Sequence, residues 1–127
     1  MICITDWGFT LSGVCRDVEG DRQRGVPTTP VVYGIPLTSV FILVMWTAGV
    51  VLSLLIGITA KLGPLYLVAA GVVGVWMLAQ CVDFVCHPVP ERGGRLFLQG
   101  SRYRAVMFCS LIVDVVLCAV LPAYPPW

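Results

Sequence analysis

Two long runs without a formal charge constrain this chain most: 36 residues from Gly25 to Ala60 and 21 from Leu62 to Val82, parted only by Lys61. Each meets the roughly 20 apolar residues that a helix needs to cross the hydrocarbon core of a bilayer. In lipid a backbone can satisfy its polar groups only in helices or closed barrels, and runs of this length are read as helices. Composition agrees, with 58% hydrophobic and 12% charged residues where soluble domains carry about 25% charged. The expected fold is all-α: a polytopic transmembrane helix bundle, residues 1–127 forming a single membrane domain, with full spans at 37–58, 65–82 and 105–121.

The run from Met1 to Cys15 is apolar but short and is interrupted by Asp6, Gly8 and Gly13. It lacks the basic start and small-residue cleavage site of a signal peptide, and is read as a partial helix over 1–15, the cytoplasmic end of a membrane helix whose earlier part is missing. Asp6 is then either an intramembrane acid with a function or a group near an exposed end. Proline is tolerated in a first helical turn, so the first full span is expected to open near Pro36 or Leu37. Gly49, Ser53 and Gly57 recur every four residues along it, a stripe of small residues that lets another helix approach closely; packing within the chain is expected rather than a dimer interface. In the second span Ala69, Ala70, Gly71 and Gly74 form the expected contact face, and Tyr66 and Trp76 are candidate aromatics for the membrane–water interface. Pro88 to Arg104 reads as a polar segment with Leu96, Phe97 and Leu98 at the interface. Asp114, near the middle of the third span, is a functional candidate as an intramembrane acid, with a hydrogen bond to a neighbouring helix the favoured role. Tyr124 and Trp127 suit the headgroup level.

Seven of the eight Lys and Arg fall in two segments, Arg16 to Arg24 and Arg92 to Arg104. The positive-inside rule places both on the cytoplasmic side and Lys61 opposite. No basic patch interleaved with aromatics appears, so nucleic acid is not an expected partner. The six cysteines make no secreted disulfide pattern and are read as small apolar fillers. Cys81, Cys86 and His87 lack the second ligand pair of a zinc site. A single histidine at a membrane border makes no credible nucleophilic arrangement, and no Gly-rich phosphate loop occurs.

Polar chemistry concentrates instead between Arg16 and Gly34, which holds three of the seven acids and three of the eight basic residues in its first nine positions. Asp17 and Asp21 stand at i and i+4, so on a helical turn their carboxylates share a face, with Glu19 turned elsewhere. Two such anions repel unless a cation lies between them, and Mg²⁺ typically takes one or two protein carboxylates plus substrate phosphates. Arg16, Arg22 and Arg24 can offer forked donors to phosphate oxygens. On spacing alone the other reading is a solvated juxtamembrane loop, residues 16–36, whose opposite charges cancel, with Pro27 and Pro30 breaking any helix.

Asp17-Val18-Glu19-Gly20-Asp21-Arg22, followed by Gly25, Thr28 or Thr29, Pro30-Val31 and Gly34, closely resembles the second aspartate-rich motif of the UbiA superfamily of intramembrane prenyltransferases. Within the superfamily it looks most like the archaeal-type geranylgeranylglycerol phosphate transferases and their bacterial relatives. The resemblance implies a bundle of about nine helices in which two aspartate-rich loops on the cytoplasmic side face each other over a central cavity. It further implies Mg²⁺ on Asp17 and Asp21, and diphosphate contacts from Arg22 with Arg16 or Arg24. The donor would be an isoprenyl diphosphate and the acceptor an aromatic or hydroxyl compound, lipid-soluble or aromatic in character. The first aspartate-rich motif is absent from these 127 residues. The chain therefore resembles the carboxyl-terminal part of such an enzyme, one that is inactive alone and needs the missing N-terminal half or its equivalent, surrounded by membrane lipids, in a prokaryotic plasma membrane. The alternatives are a small non-enzymatic membrane assembly or transport subunit, in which the charged stretch is only a topological anchor, and a degenerate relative that binds isoprenoid diphosphates without turnover.

Overall fold

The computed structural model describes residues 2–123, and these fold as six helices. They are α1 (Ile2–Arg16), α2 (Val18–Gln23), α3 (Thr29–Tyr33), α4 (Ile35–Thr59), α5 (Pro64–Cys86) and α6 (Pro90–Val120). Three of them, α4, α5 and α6, are long and apolar enough to cross a membrane. At 1.5 Å per residue, the 31 residues of α6 reach about 46 Å, more than the roughly 30 Å of a hydrocarbon core, so one end stands clear of it.

Four helices close a ring, α1 against α4, α4 against α5, α5 against α6 and α6 against α1. Trp46 of α4 and Tyr103 of α6 fill its centre, both buried and edge to face with centroids 5.1 Å apart. Around them lie Ile42, Met77, Cys81, Phe84, Leu96 and Cys15. Such close approach needs small residues, because membrane helices associate by van der Waals fit and not by expulsion of water. The Gly49–Ser53–Gly57 stripe serves contacts inside this chain: Gly49 faces Thr5 of α1, and Gly57 faces Tyr66 and Leu67 of α5. Of the expected α5 face, Ala70 is buried and Gly74 meets Val50, whereas Gly71 has nothing within 4 Å of where a Cβ would stand.

Several boundaries differ from expectation for identifiable reasons. α5 runs to Cys86, with His87 as its C-cap. α6 begins at Pro90, well before the expected 105, so Pro88 to Arg104 is not an irregular segment. Pro90 sits in the first turn, where its missing N–H costs nothing. Beyond it Gly93, Leu96, Gly100, Tyr103 and Met107 are buried at helical spacing, and this apolar stripe is masked in the sequence by Arg92, Arg95, Arg102 and Arg104 on the other faces. Residues 16–36 are not simply a loop, since α2 and α3 occupy most of them, and Pro30 opens α3 instead of breaking a helix. Tyr66 is not an interface aromatic: it is buried and its hydroxyl donates to the carbonyl of Ser53 at 3.3 Å. Trp76 is exposed but lies near the middle of α5 and not at its end. Only Cys15 and Cys81 are buried fillers; Cys3, Cys86, Cys109 and Cys118 are exposed. Tyr124 and Trp127 lie outside the described residues.

Both problematic acids find partners. Asp114 is fully buried and accepts from the backbone N–H groups of Gly63, at 2.5 Å, and Tyr66, at 3.4 Å. It thereby satisfies donors that the first turn of α5 leaves without intrahelical partners, the hydrogen bond to a neighbouring helix that its position suggested. Asp6 of α1 accepts from Arg104 Nη2 of α6 at 2.6 Å.

Candidate functional site

α1 ends at Arg16 and the chain passes through Asp17, with φ −96° and ψ 9°, into the short α2. Asp21 N–H donates to Asp17 C=O at 3.0 Å, so helical periodicity is kept across the junction. The far end closes by local chemistry: Gly25 adopts φ 69°, Val26 N–H donates to Asp21 C=O at 2.9 Å and Gly25 N–H to Arg22 C=O at 3.2 Å. This is the double closure of a helix by a left-handed glycine. α3 packs against α1, α2 and α4, burying Pro30. A turn of only six residues is therefore held at both ends and from one side.

Its exposed face carries the site. Asp17, Gly20, Asp21 and Arg24 recur at i, i+3, i+4 and i+7, one helical stripe, and together with Arg16 they surround a concavity of about 480 Å³. Arg16 grips Asp17 as a fork, Nε to Oδ1 at 2.9 Å and Nη2 to Oδ2 at 3.0 Å. These hydrogen bonds hold the Asp17 carboxyl below its ordinary value, and the charges of Arg16 and Arg24 act in the same direction. The same contact raises Arg16. Among the described residues, Asp21 and Arg24 make no side-chain hydrogen bond or ion pair. Gly20 leaves the wall between the two carboxylates open, with nothing within 4 Å of a would-be Cβ.

Arg22 is not brought to this cavity. It turns to Glu19, Nη1 to Oε2 at 3.4 Å, and Gln23 reaches the same carboxylate at 3.3 Å. The spacing already contained this result, since Arg22 stands five residues after Asp17 and off the stripe. Gly20 falls on the stripe by the same spacing, three residues after Asp17. What no local signal could show is the seat of Arg16, whose methylenes lie over Gly94 and whose guanidinium faces Phe97 of α6.

A second concavity, apolar and about 640 Å³, runs along α1, α3 and α4 between Trp7, Leu11, Tyr33, Leu37, Phe41 and Met45. Among the described residues no group of three or more His, Cys, Asp or Glu could hold a metal ion; any cation at the stripe rests on the pair Asp17 and Asp21. Elsewhere at this end of the bundle Asp83 of α5 is paired with Arg92 of α6 and stands 3.7 Å from His87.

Comparison with known proteins agrees with the motif. The sequence model of the UbiA prenyltransferase family matches residues 1–112. A protoheme IX farnesyltransferase of Mycobacteroides abscessus is 39% identical over 105 residues, 80% of this chain and 33% of the relative. Proteins of the same name from Desulforudis audaxviator and Gloeobacter violaceus are 37% and 29% identical, covering 71% and 76% of the chain. The chain spans about a third of the length of the curated relatives it matches. They carry a different name from the geranylgeranylglycerol phosphate transferases that the motif resembled. No solved structure matches. A family match over nearly the whole chain, on a membrane bundle with an aspartate stripe at one end, has one meaning: this chain belongs to the UbiA prenyltransferase family.

Proposed function

We propose that this chain forms the diphosphate-binding end of an intramembrane prenyltransferase that uses Mg²⁺. The observation that carries the reading is the single stripe of Asp17, Asp21 and Arg24, joined by Arg16 around one open concavity. Two carboxylates suit Mg²⁺, which keeps several waters and shares its remaining positions with substrate phosphates, and the open wall at Gly20 leaves room for both. Bound there, Mg²⁺ would supply neutralisation of the charge that develops as diphosphate departs. Arg16 and Arg24 would add forked donors to the same oxygens, with Arg22, beside Glu19, at the rim. The apolar groove offers a wall for an isoprenoid chain. Charge placement supports a cytoplasmic position for the stripe, because most basic residues gather at its end of the bundle; a plasma membrane is part of the same proposal.

The name shared by the relatives favours farnesyl diphosphate as donor and protoheme IX as acceptor, a narrower acceptor class than aromatic or hydroxyl compounds in general. Turnover is proposed for the longer protein of this family and not for these 127 residues alone. The test is Mg²⁺-dependent binding of farnesyl diphosphate to the chain in lipid nanodiscs, with Asp17→Asn and Asp21→Asn as variants. Each should weaken binding about tenfold or more, the loss expected of one charged contact. Unchanged binding in both variants would leave the charged stretch as the anchor of a non-enzymatic membrane subunit.

A further inference from the structure

α1 and α6 meet through alternating guanidinium groups and phenyl rings. Arg104, paired with Asp6, stands 4.4 Å from the centroid of the Phe9 ring. Phe9 stacks on Phe97 at 4.2 Å with the planes 25° apart. Arg16 stands 5.3 Å from the other ring, Phe97, and ends the series on both oxygens of Asp17. The seat is fitted on both sides: a Cβ at Gly13 would come to 3.0 Å from the Phe97 ring, and one at Gly94 to 3.1 Å from Arg16 Cγ and Cδ. A guanidinium over an aromatic face is attracted by the ring quadrupole, so Phe97 fixes where the Arg16 fork points.

A fork that engages both carboxylate oxygens occupies the directions a metal ion would use, and one positive charge opposes the approach of another. We infer that Arg16 is a resident counter-cation for Asp17, seated by Phe97 as a positioning residue, which yields the carboxylate to an incoming divalent metal and is thereby released to pair with the diphosphate. The inference rests on the reading of Asp17 and Asp21 as the metal pair. It explains how two carboxylates one turn apart are tolerated before metal arrives, and it makes metal and diphosphate binding mutually supportive, since the guanidinium displaced by one is the donor for the other.

The test uses the chain in lipid nanodiscs with two titrations, Mn²⁺ alone followed by electron paramagnetic resonance, and inorganic pyrophosphate in saturating Mg²⁺ followed by calorimetry. Arg16→Gln should tighten Mn²⁺ binding roughly thirtyfold, the effect of removing one unit charge about 4 Å from a divalent ion in water, and Phe97→Leu, which keeps the charge but loosens its seat, should tighten it by less. Both should weaken pyrophosphate binding. Phe97→Tyr, which keeps the ring, should leave both affinities as they were. Merely disturbed folding would weaken both, and Arg16→Gln, at the exposed end of α1, carries the test should Phe97→Leu fail to fold. Affinities that move together, or do not move, in Arg16→Gln overturn the inference while leaving the metal pair intact. Mn²⁺ affinity unchanged in Asp17→Asn overturns the metal pair itself, and the inference with it.

Discussion

Replacing Gly93 by alanine tests how tightly α6 must approach α1 to hold the aspartate stripe. A Cβ at Gly93 would stand 2.9 Å from Cys15 Cβ and 3.2 Å from the carbonyl oxygen of Ser12. Carbon atoms rest at about 3.5–4.0 Å, so the first contact is short by roughly 0.6 Å or more. Neither partner can rotate away, one being the root of a side chain and the other backbone. The helices must therefore separate, at a cost of about 1–3 kcal/mol for overpacking a fitted interface. Alanine also gains about 1 kcal/mol of helix propensity over glycine, which leaves a net loss of roughly 0–2 kcal/mol. Gly71→Ala on α5 is the control: nothing lies within 4 Å of its Cβ, so only the propensity gain of about 1 kcal/mol remains. Reversible unfolding in mixed micelles, followed by tryptophan fluorescence, should show Gly71→Ala more stable than Gly93→Ala by roughly 1–3 kcal/mol. Equal shifts of the same sign in the two variants would refute the close-contact argument.

Three further outcomes are expected. Asp114→Leu strips the Gly63 and Tyr66 N–H groups of their acceptor and should cost about 1–3 kcal/mol for each donor left unsatisfied, with faster amide exchange at Gly63 and Tyr66; slow exchange there would show that the cap is dispensable. Tyr66→Phe removes only the bond to Ser53 and should cost about 0.5–1.5 kcal/mol in the same unfolding assay; a loss as large as that of Asp114→Leu would contradict this. The Asp17 carboxyl, held mainly by the Arg16 hydrogen bonds below its ordinary 3.8, titrates lower folded than unfolded. Its contribution is thus fully present above the ordinary value and lost as pH falls through the lowered one. Carboxyl ¹³C shifts should show Asp17 ionised throughout the mildly acidic range, and titration at or above 3.8 would break the argument.

Much of this was readable along the chain. The spans over 37–58 and 65–82 needed only run length, and the placing of Asp17 and Asp21 around one concavity needed only their spacing. Expectation failed where a helix carries two messages at once. In α6 the four arginines from Arg92 to Arg104 outweigh Gly93, Leu96, Gly100 and Tyr103 in any average over a window, although the helix holds both on different faces. Nearness in sequence groups Arg22 with Arg16 and Arg24, whereas a helix separates neighbours by about 100° and sends Arg22 to Glu19.

Sequence alone determined that this is a membrane helix protein with an aspartate-bearing turn after its first helix, because hydropathy and helical period act over stretches of a few to 20 or so residues. Only the tertiary structure decided what each polar group does. Asp6 meets an arginine 98 residues away, Asp114 caps a helix that begins 50 residues before it, and Arg16 rests on a ring and a glycine of α6. Contacts of that kind depend on which helix faces pack together, and a pattern read along one helix carries no information about the partner it will meet.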